Sequence, residues 1–112
     1  MAITVSAVTK KEQGSKQFQG AYSEMFTVTA TLSFAAIGAA AEDSGAITVP
    51  GVALGDHIIS YGFNVDAEEN IFFFNPSVSA ANTVTLSVTN ASGSSDTPAP
   101  TQIKLLVGRP NW

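Results

Sequence analysis

The chain has no cysteine. This excludes a disulfide framework and any zinc site built on thiolates, and it fits synthesis in a reducing cytosol. Charge is scarce as well. Asp, Glu, Lys and Arg make up 12% of the residues, against about 25% in ordinary soluble domains. The net charge is −4, so the basic footprint of a nucleic-acid-binding protein is missing. No apolar run approaches the roughly 20 residues of a membrane-spanning helix. The longest small-apolar stretch, Ala35 to Ala41, is short and alanine-rich. Met1 to Val5 has neither the basic nor the apolar region of a secretory signal. Helix formers cluster only in Ala35 to Glu42, enough for a turn or two, and Gly38 interrupts even these.

Strand signals fill the space that these absences leave. Phe26, Val28, Ala30, Leu32 and Phe34 alternate with Thr27, Thr29, Thr31 and Ser33, so one face is apolar and the other is a hydroxyl ladder. Val84, Leu86 and Val88 repeat the pattern against Thr83, Thr85, Ser87 and Thr89. Ile103, Leu105 and Val107 do so against Gln102 and Lys104, with Leu106 breaking the outer face. Ile3 and Val5 start an N-terminal strand, and Ala46 to Val49 form a short one stopped by Pro50. His57, Ile59, Tyr61 and Phe63 share one face of a further strand, with Ile58, Ser60 and Gly62 on the other. The run Ile71 to Phe74 suits a strand buried on both sides.

Turn residues are spaced as an all-β fold requires. Pro50-Gly51 fits the centre of a type II turn, Gly55-Asp56 is a second break, and Asn75-Pro76 ends the aromatic strand. Ala91 to Pro100, rich in Ser, Gly and Pro, is expected to form a mobile tip. The 112 residues suffice for one domain that buries a core without staples. The expected fold is a single antiparallel β-sandwich or jelly-roll-like domain over 1–112. It divides into an N-terminal strand and extended arm (1–22), a sandwich core (23–109) and a C-terminal tail (110–112).

Candidate chemistry is thin. His57 is the only histidine, and a Ser-His-Asp arrangement would need an orienting carboxylate. Its neighbour Asp56 would point to the opposite face of a strand, and no serine stands in a nucleophile context. Asp66, Glu68 and Glu69 lack the spacing of a calcium loop. No catalytic residue, metal ligand or cofactor site is therefore expected. Asn90-Ala91-Ser92 matches a glycosylation pattern only incidentally. The readable features are contact features. Low charge suggests a surface covered by another protein. The expected interface residues are Lys10, Lys11, Lys16, Phe18 and Tyr22 on the arm, then Phe72, Phe73, Phe74 and Trp112. Three consecutive phenylalanines on a strand cannot all enter one core, and aromatics are enriched at interfaces.

Residues 46 to 109 resemble a small β module of tailed-bacteriophage structural proteins. The resemblance is carried by Ile47 to Asp56 with its Pro-Gly and Gly-Asp turns, Ile58 to Phe63, the Val78-Ser-Ala-Ala-Asn-Thr-Val-Thr strand, Asn90 to Ser95, and Ile103 to Arg109. It implies a capsid decoration (cement) or head-fibre module. The chain lacks the repeats and stalk of a long fibre, which favours the cement protein. The resemblance then implies a homotrimer on the outer surface of the capsid that clamps neighbouring major capsid proteins, made in the host cytoplasm, with no nucleic-acid or membrane partner. The alternative is a receptor- or glycan-binding module of a head fibre or tail.

Overall fold

The computed structural model describes residues 3–13, 21–64 and 69–112, with side chains for all of these except 11–13. It is all-β, as the alternation requires. Its strands are β1 (Ile3–Gln13), β2 (Tyr22–Phe34), β3 (Glu42–Thr48), β4 (His57–Phe63), β5 (Ile71–Phe73), β6 (Ser77–Ala80), β7 (Thr83–Asn90) and β8 (Thr101–Pro110). One antiparallel sheet has the order β1-β2-β8-β4. The other has β7 at its centre, with β3 along one side and β5 and β6 end to end along the other.

The core lies between the two sheets. Phe26, Val28, Ala30 and Leu32 of β2 and Ile103, Leu105 and Val107 of β8 face Ile47, Val84, Leu86 and Val88 of the second sheet, all buried. These are the apolar faces expected from sequence. Each fully buried side chain of this size stabilises the fold by roughly 1.5–3 kcal/mol, which makes the central strands the stable part of the molecule.

Several expectations are corrected. Lys10 to Gln13, assigned to a loose arm, complete β1 and pair with Val28 to Met25. Tyr22 opens β2, the Ala21 carbonyl before it accepts the Asn111 N–H, and residues 14–20 of the expected arm lie outside the described residues. A bulge explains why the alternation was hard to follow there. The register shifts between Ser6 and Thr9, with Ala7 at φ 51°, and this turns Val8 and Lys10 toward the core side. Ala35 to Glu42 holds no helix. Ile37 is buried and bridges to Asp96, and Glu42 starts β3. The Val78 to Val88 stretch is a hairpin of β6 and β7, turned at Ala81-Asn82 with Asn82 in the left-handed region (φ 61°).

The Ala91 to Pro100 segment is tied down. Asn90 is fully buried. Its amide nitrogen donates to the carbonyls of Ile37 (3.0 Å) and Ser94 (2.9 Å), and its amide oxygen accepts from the backbone N–H and the hydroxyl of Ser92. A side chain so committed cannot carry a glycan in the folded protein.

The two sides of the sandwich differ. At the β1/β3 side the sheets touch, because Gly45 has no side chain. A Cβ there would lie 2.7 Å from Cβ of Ile3. Gly45→Ala is expected to destabilise the protein by about 1–3 kcal/mol, the usual range for overpacking, despite alanine's better strand entropy. Gly62→Ala, where nothing lies within 4 Å, is the control and is expected to be neutral or slightly stabilising. Urea denaturation of both variants measures the difference, and equal midpoints would contradict the close approach.

Candidate binding surface

The surface is built on the connection between β3 and β4. Val49-Pro50-Gly51-Val52 forms the expected type II turn. Gly51 takes φ 97°, and the Val52 N–H donates to the Val49 carbonyl at 3.3 Å. Ala53 to Asp56 is a second turn, with Gly55 also at φ 97° and the Asp56 N–H on the Ala53 carbonyl. Other parts of the chain grip these turns. Asn82 accepts from the Gly51 N–H through its side chain and donates its own N–H to Val52. Lys10 Nζ donates to the Pro50 carbonyl at 2.7 Å and lies 4.4 Å from the centre of the Phe26 ring. Lys10, one of the expected interface residues, makes these contacts within the fold because the bulge at Ala7 turns it toward Phe26.

Arg109 of β8 holds the second turn. Its Nε and Nη2 bond both carboxylate oxygens of Asp56 at 3.0 and 2.9 Å, Nη1 reaches Glu24 at 2.7 Å, and Nη2 also donates to the Gly51 carbonyl at 2.6 Å. Asp56 is nearly buried, with 3% of its side chain exposed, against 42% for Glu24. The Asp56 hydrogen bonds push the Arg109 pKa further above its ordinary value. Partial burial opposes this, and the charges of Asp56 and Glu24 add to it. Asp56 also accepts the Ala53 N–H. This carboxylate therefore serves Arg109 and the turn, and does not orient His57.

His57 begins β4 and lies against two other rings. The Tyr22 hydroxyl is 3.3 Å from His57 Nδ1. Trp112 packs on both, with ring centres 5.4 Å from His57 and 5.6 Å from Tyr22. Gly108 beneath them admits this packing, since a Cβ there would strike the Tyr22 ring and Ile59. Trp112 itself is 77% exposed. The sequence-predicted Tyr22 and Trp112 thus come together, joined by His57, on the outer face of the first sheet.

The phenylalanines separate. Phe73 turns inward beside Phe63 (ring centres 4.7 Å apart) and Phe34 (5.9 Å). Phe72 and Phe74 remain 56% and 49% exposed, so the run is not buried on both sides. Phe72 pairs with Thr89, on the outer face of the second sheet. Lys16 and Phe18 lie outside the described residues, as do Asp66 and Glu68, and the Lys11 side chain is not among those described.

Sequence reasoning missed the contribution of β4. Its register against β8 shifts between Ile58 and Ser60. Ile58, Tyr61 and Phe63 consequently share the side of Val107, Leu105 and Ile103, while Ile59 joins the outer face near Tyr22. The face expected from strict alternation is replaced by one that the bulge defines. Tyr61 donates its hydroxyl to Asn75 at 2.6 Å, across an open groove of about 640 Å³ between β4 and β6, floored by Ile58 and Val78. Ile59 and Tyr61 are 39% and 40% exposed. Their signal in the sequence was the absence of any Asp, Glu, Lys or Arg from His57 to Phe63.

The Arg109 network makes unequal demands on its two carboxylates. Arg109→Met is expected to destabilise by about 3 kcal/mol, the low end for breaking a buried pair, because it strands Asp56. Glu24→Gln is expected to change stability by less than about 1 kcal/mol, as for a surface pair. Denaturation midpoints of the two variants check this, and equal losses would refute the ranking.

Comparison of the chain with protein-family models, with curated proteins and with solved structures returned no match.

Proposed function

We propose that the chain is a non-enzymatic structural module of a phage virion, a decoration protein that docks on the outer surface of the capsid and ties neighbouring major capsid proteins together. The observation that supports a docking role is the set of large apolar side chains left exposed on the sandwich. Ile59 and Tyr61 of β4, Phe72 of β5 and Phe74 just beyond it are all more than a third exposed. Rigid, low-charge surfaces of this kind lose little on being covered, because few charged groups must be desolvated. Asp56 is bonded to Arg109, and the Tyr22 hydroxyl lies 3.3 Å from His57 Nδ1. The virion setting comes from the resemblance of residues 46 to 109.

The purified chain, mixed with expanded capsids assembled without it, is expected to sediment with them. Phe72→Ser/Phe74→Ser is expected to weaken this binding at least tenfold, about 1.4 kcal/mol, with an unchanged melting curve. A chain that stays in the supernatant with expanded capsids would overturn the proposal.

One observation favours a second reading, the glycan-binding module. Trp112 is a broad exposed ring braced by Tyr22 and His57, and such a ring stacks on the apolar face of a sugar. Because Trp112 is the only tryptophan, its emission reports directly on occupancy. On this reading a glycan array gives a saturable hit that shifts the emission and is lost in Trp112→Ala. No hit in the array leaves the capsid role alone in place.

A further inference from the structure

We propose that β4 is a self-pairing edge, through which two copies of the chain join antiparallel about a two-fold axis, so that their first sheets continue as one eight-stranded sheet. The argument starts from the sheet edges. An edge strand offers unpaired backbone groups to any passing strand, and folded proteins blunt such edges with charge, proline, bulges, short length or a cover. Three edges here are blunted. β1 carries Lys10, Lys11 and Glu12 and a mid-strand bulge, and its start is packed over β3 at Gly45. β3 opens on Glu42 and Asp43. β5 and β6 are three and four residues long and are separated by Asn75-Pro76.

β4 is different. It has seven residues with no proline and none of the four charged types. Its bulge lies near its start and leaves Ser60 to Phe63 in regular register with Leu106 to Ile103. It carries two of the six large apolar side chains that are exposed among the described residues, Ile59 and Tyr61.

The strand itself points to a second copy as its occupant. It carries no charge, so an antiparallel copy meets no like charge directly opposite. A two-fold axis at Gly62 sets Tyr61 of each copy opposite Phe63 of the other. These two residues share a face, as their pairing with Leu105 and Ile103 shows, and aromatic cross-strand pairs are favourable. Ser60 then stands opposite Asn64, and the two Gly62 residues meet at the axis, where each has open space. Such an isologous contact closes on itself and gives a defined dimer. It differs from the three-fold association that the resemblance to cement proteins implies.

Light scattering on a sizing column tests this with the full chain. The wild type is expected to approach twice the 11.6 kDa chain mass as its concentration is raised. Gly62→Glu places two carboxylates at the axis, starting from a Cβ position with nothing within 4 Å and with Lys104 of the same chain as the cross-strand neighbour. It is expected to run at the single-chain mass with an unchanged melting curve, while Gly62→Ala remains dimeric. Hydrogen exchange supplies the second readout, with the β4 amides protected in the concentrated wild type and not in Gly62→Glu. A wild type that stays monomeric up to about 1 mM, a three-chain mass, or a Gly62→Glu variant that still dimerises would each overturn the proposal.

Discussion

One guanidinium ties the β3–β4 connection to the first sheet. Arg109 leaves β8 toward the gap between the sheets and there meets Asp56, Glu24 and the Gly51 carbonyl at 2.6 to 3.0 Å. Only arginine offers a planar fork that can hold both oxygens of a carboxylate and still donate elsewhere. Its contacts join β2, β8 and the β3–β4 connection, three pieces far apart in sequence. Position at the start of β4 follows from this, because Asp56 immediately precedes His57. The ring cluster of Tyr22, His57 and Trp112 is therefore anchored by a residue that belongs to none of its rings. The sign of the Arg109 shift matters here. A base whose pKa is raised on folding contributes fully below its ordinary value and loses the contribution only above it, so Arg109 stays charged throughout the working range of a protein.

A second polar centre lies on a different loop. Asn90 is buried, yet both ends of its amide are satisfied, by Ile37, Ser92 and Ser94. A buried amide left unpaired would cost about 1–3 kcal/mol, so this residue accepts only the loop path that supplies those partners. The Ile37–Asp96 bridge completes the same knot. The core cluster itself is built of apolar side chains, from Ile3 and Phe26 to Leu105 and Val107. Packing supplies stability there, and the two polar centres restrict which loop conformations are compatible with it.

How much of this was legible in the sequence follows from which patterns have unique solutions. β2, β7 and β8 were readable residue by residue, because alternation with buried partners fixes the face. The Pro50–Gly51 turn was readable because only glycine takes the positive φ it needs without strain. Bulges were not. One extra residue at Ala7 or Ile59 reverses the face of everything beyond it, and nothing in Ser6-Ala7-Val8 or Ile58-Ile59-Ser60 announces the insertion. That single effect moved Lys10 inward and re-sorted Ile58, Ile59 and Tyr61. The hairpin at Asn82 was hidden for a related reason, since a two-residue turn can pass through an alternating stretch without breaking its rhythm. Arg109 was also invisible, because its partners stand 53 and 85 residues away.

The exposed aromatics follow from strand geometry. On β5, Ile71 and Phe73 face the core, which obliges Phe72 to face out. Among the described residues no second layer lies over that face. Covering its apolar area would gain roughly 25 cal/mol for each Å² removed from water. The same holds for Ile59, which the β4 bulge turns to the outside. A module that needed only to fold could place threonine at these positions, as β2 does at Thr27, Thr29 and Thr31. Apolar residues at these outward-facing positions, Phe72 and Ile59, contribute little to the core that holds the sheets together. The buried core and these exposed side chains are thus built from the same strands, on opposite faces of sheets whose inner sides are dry.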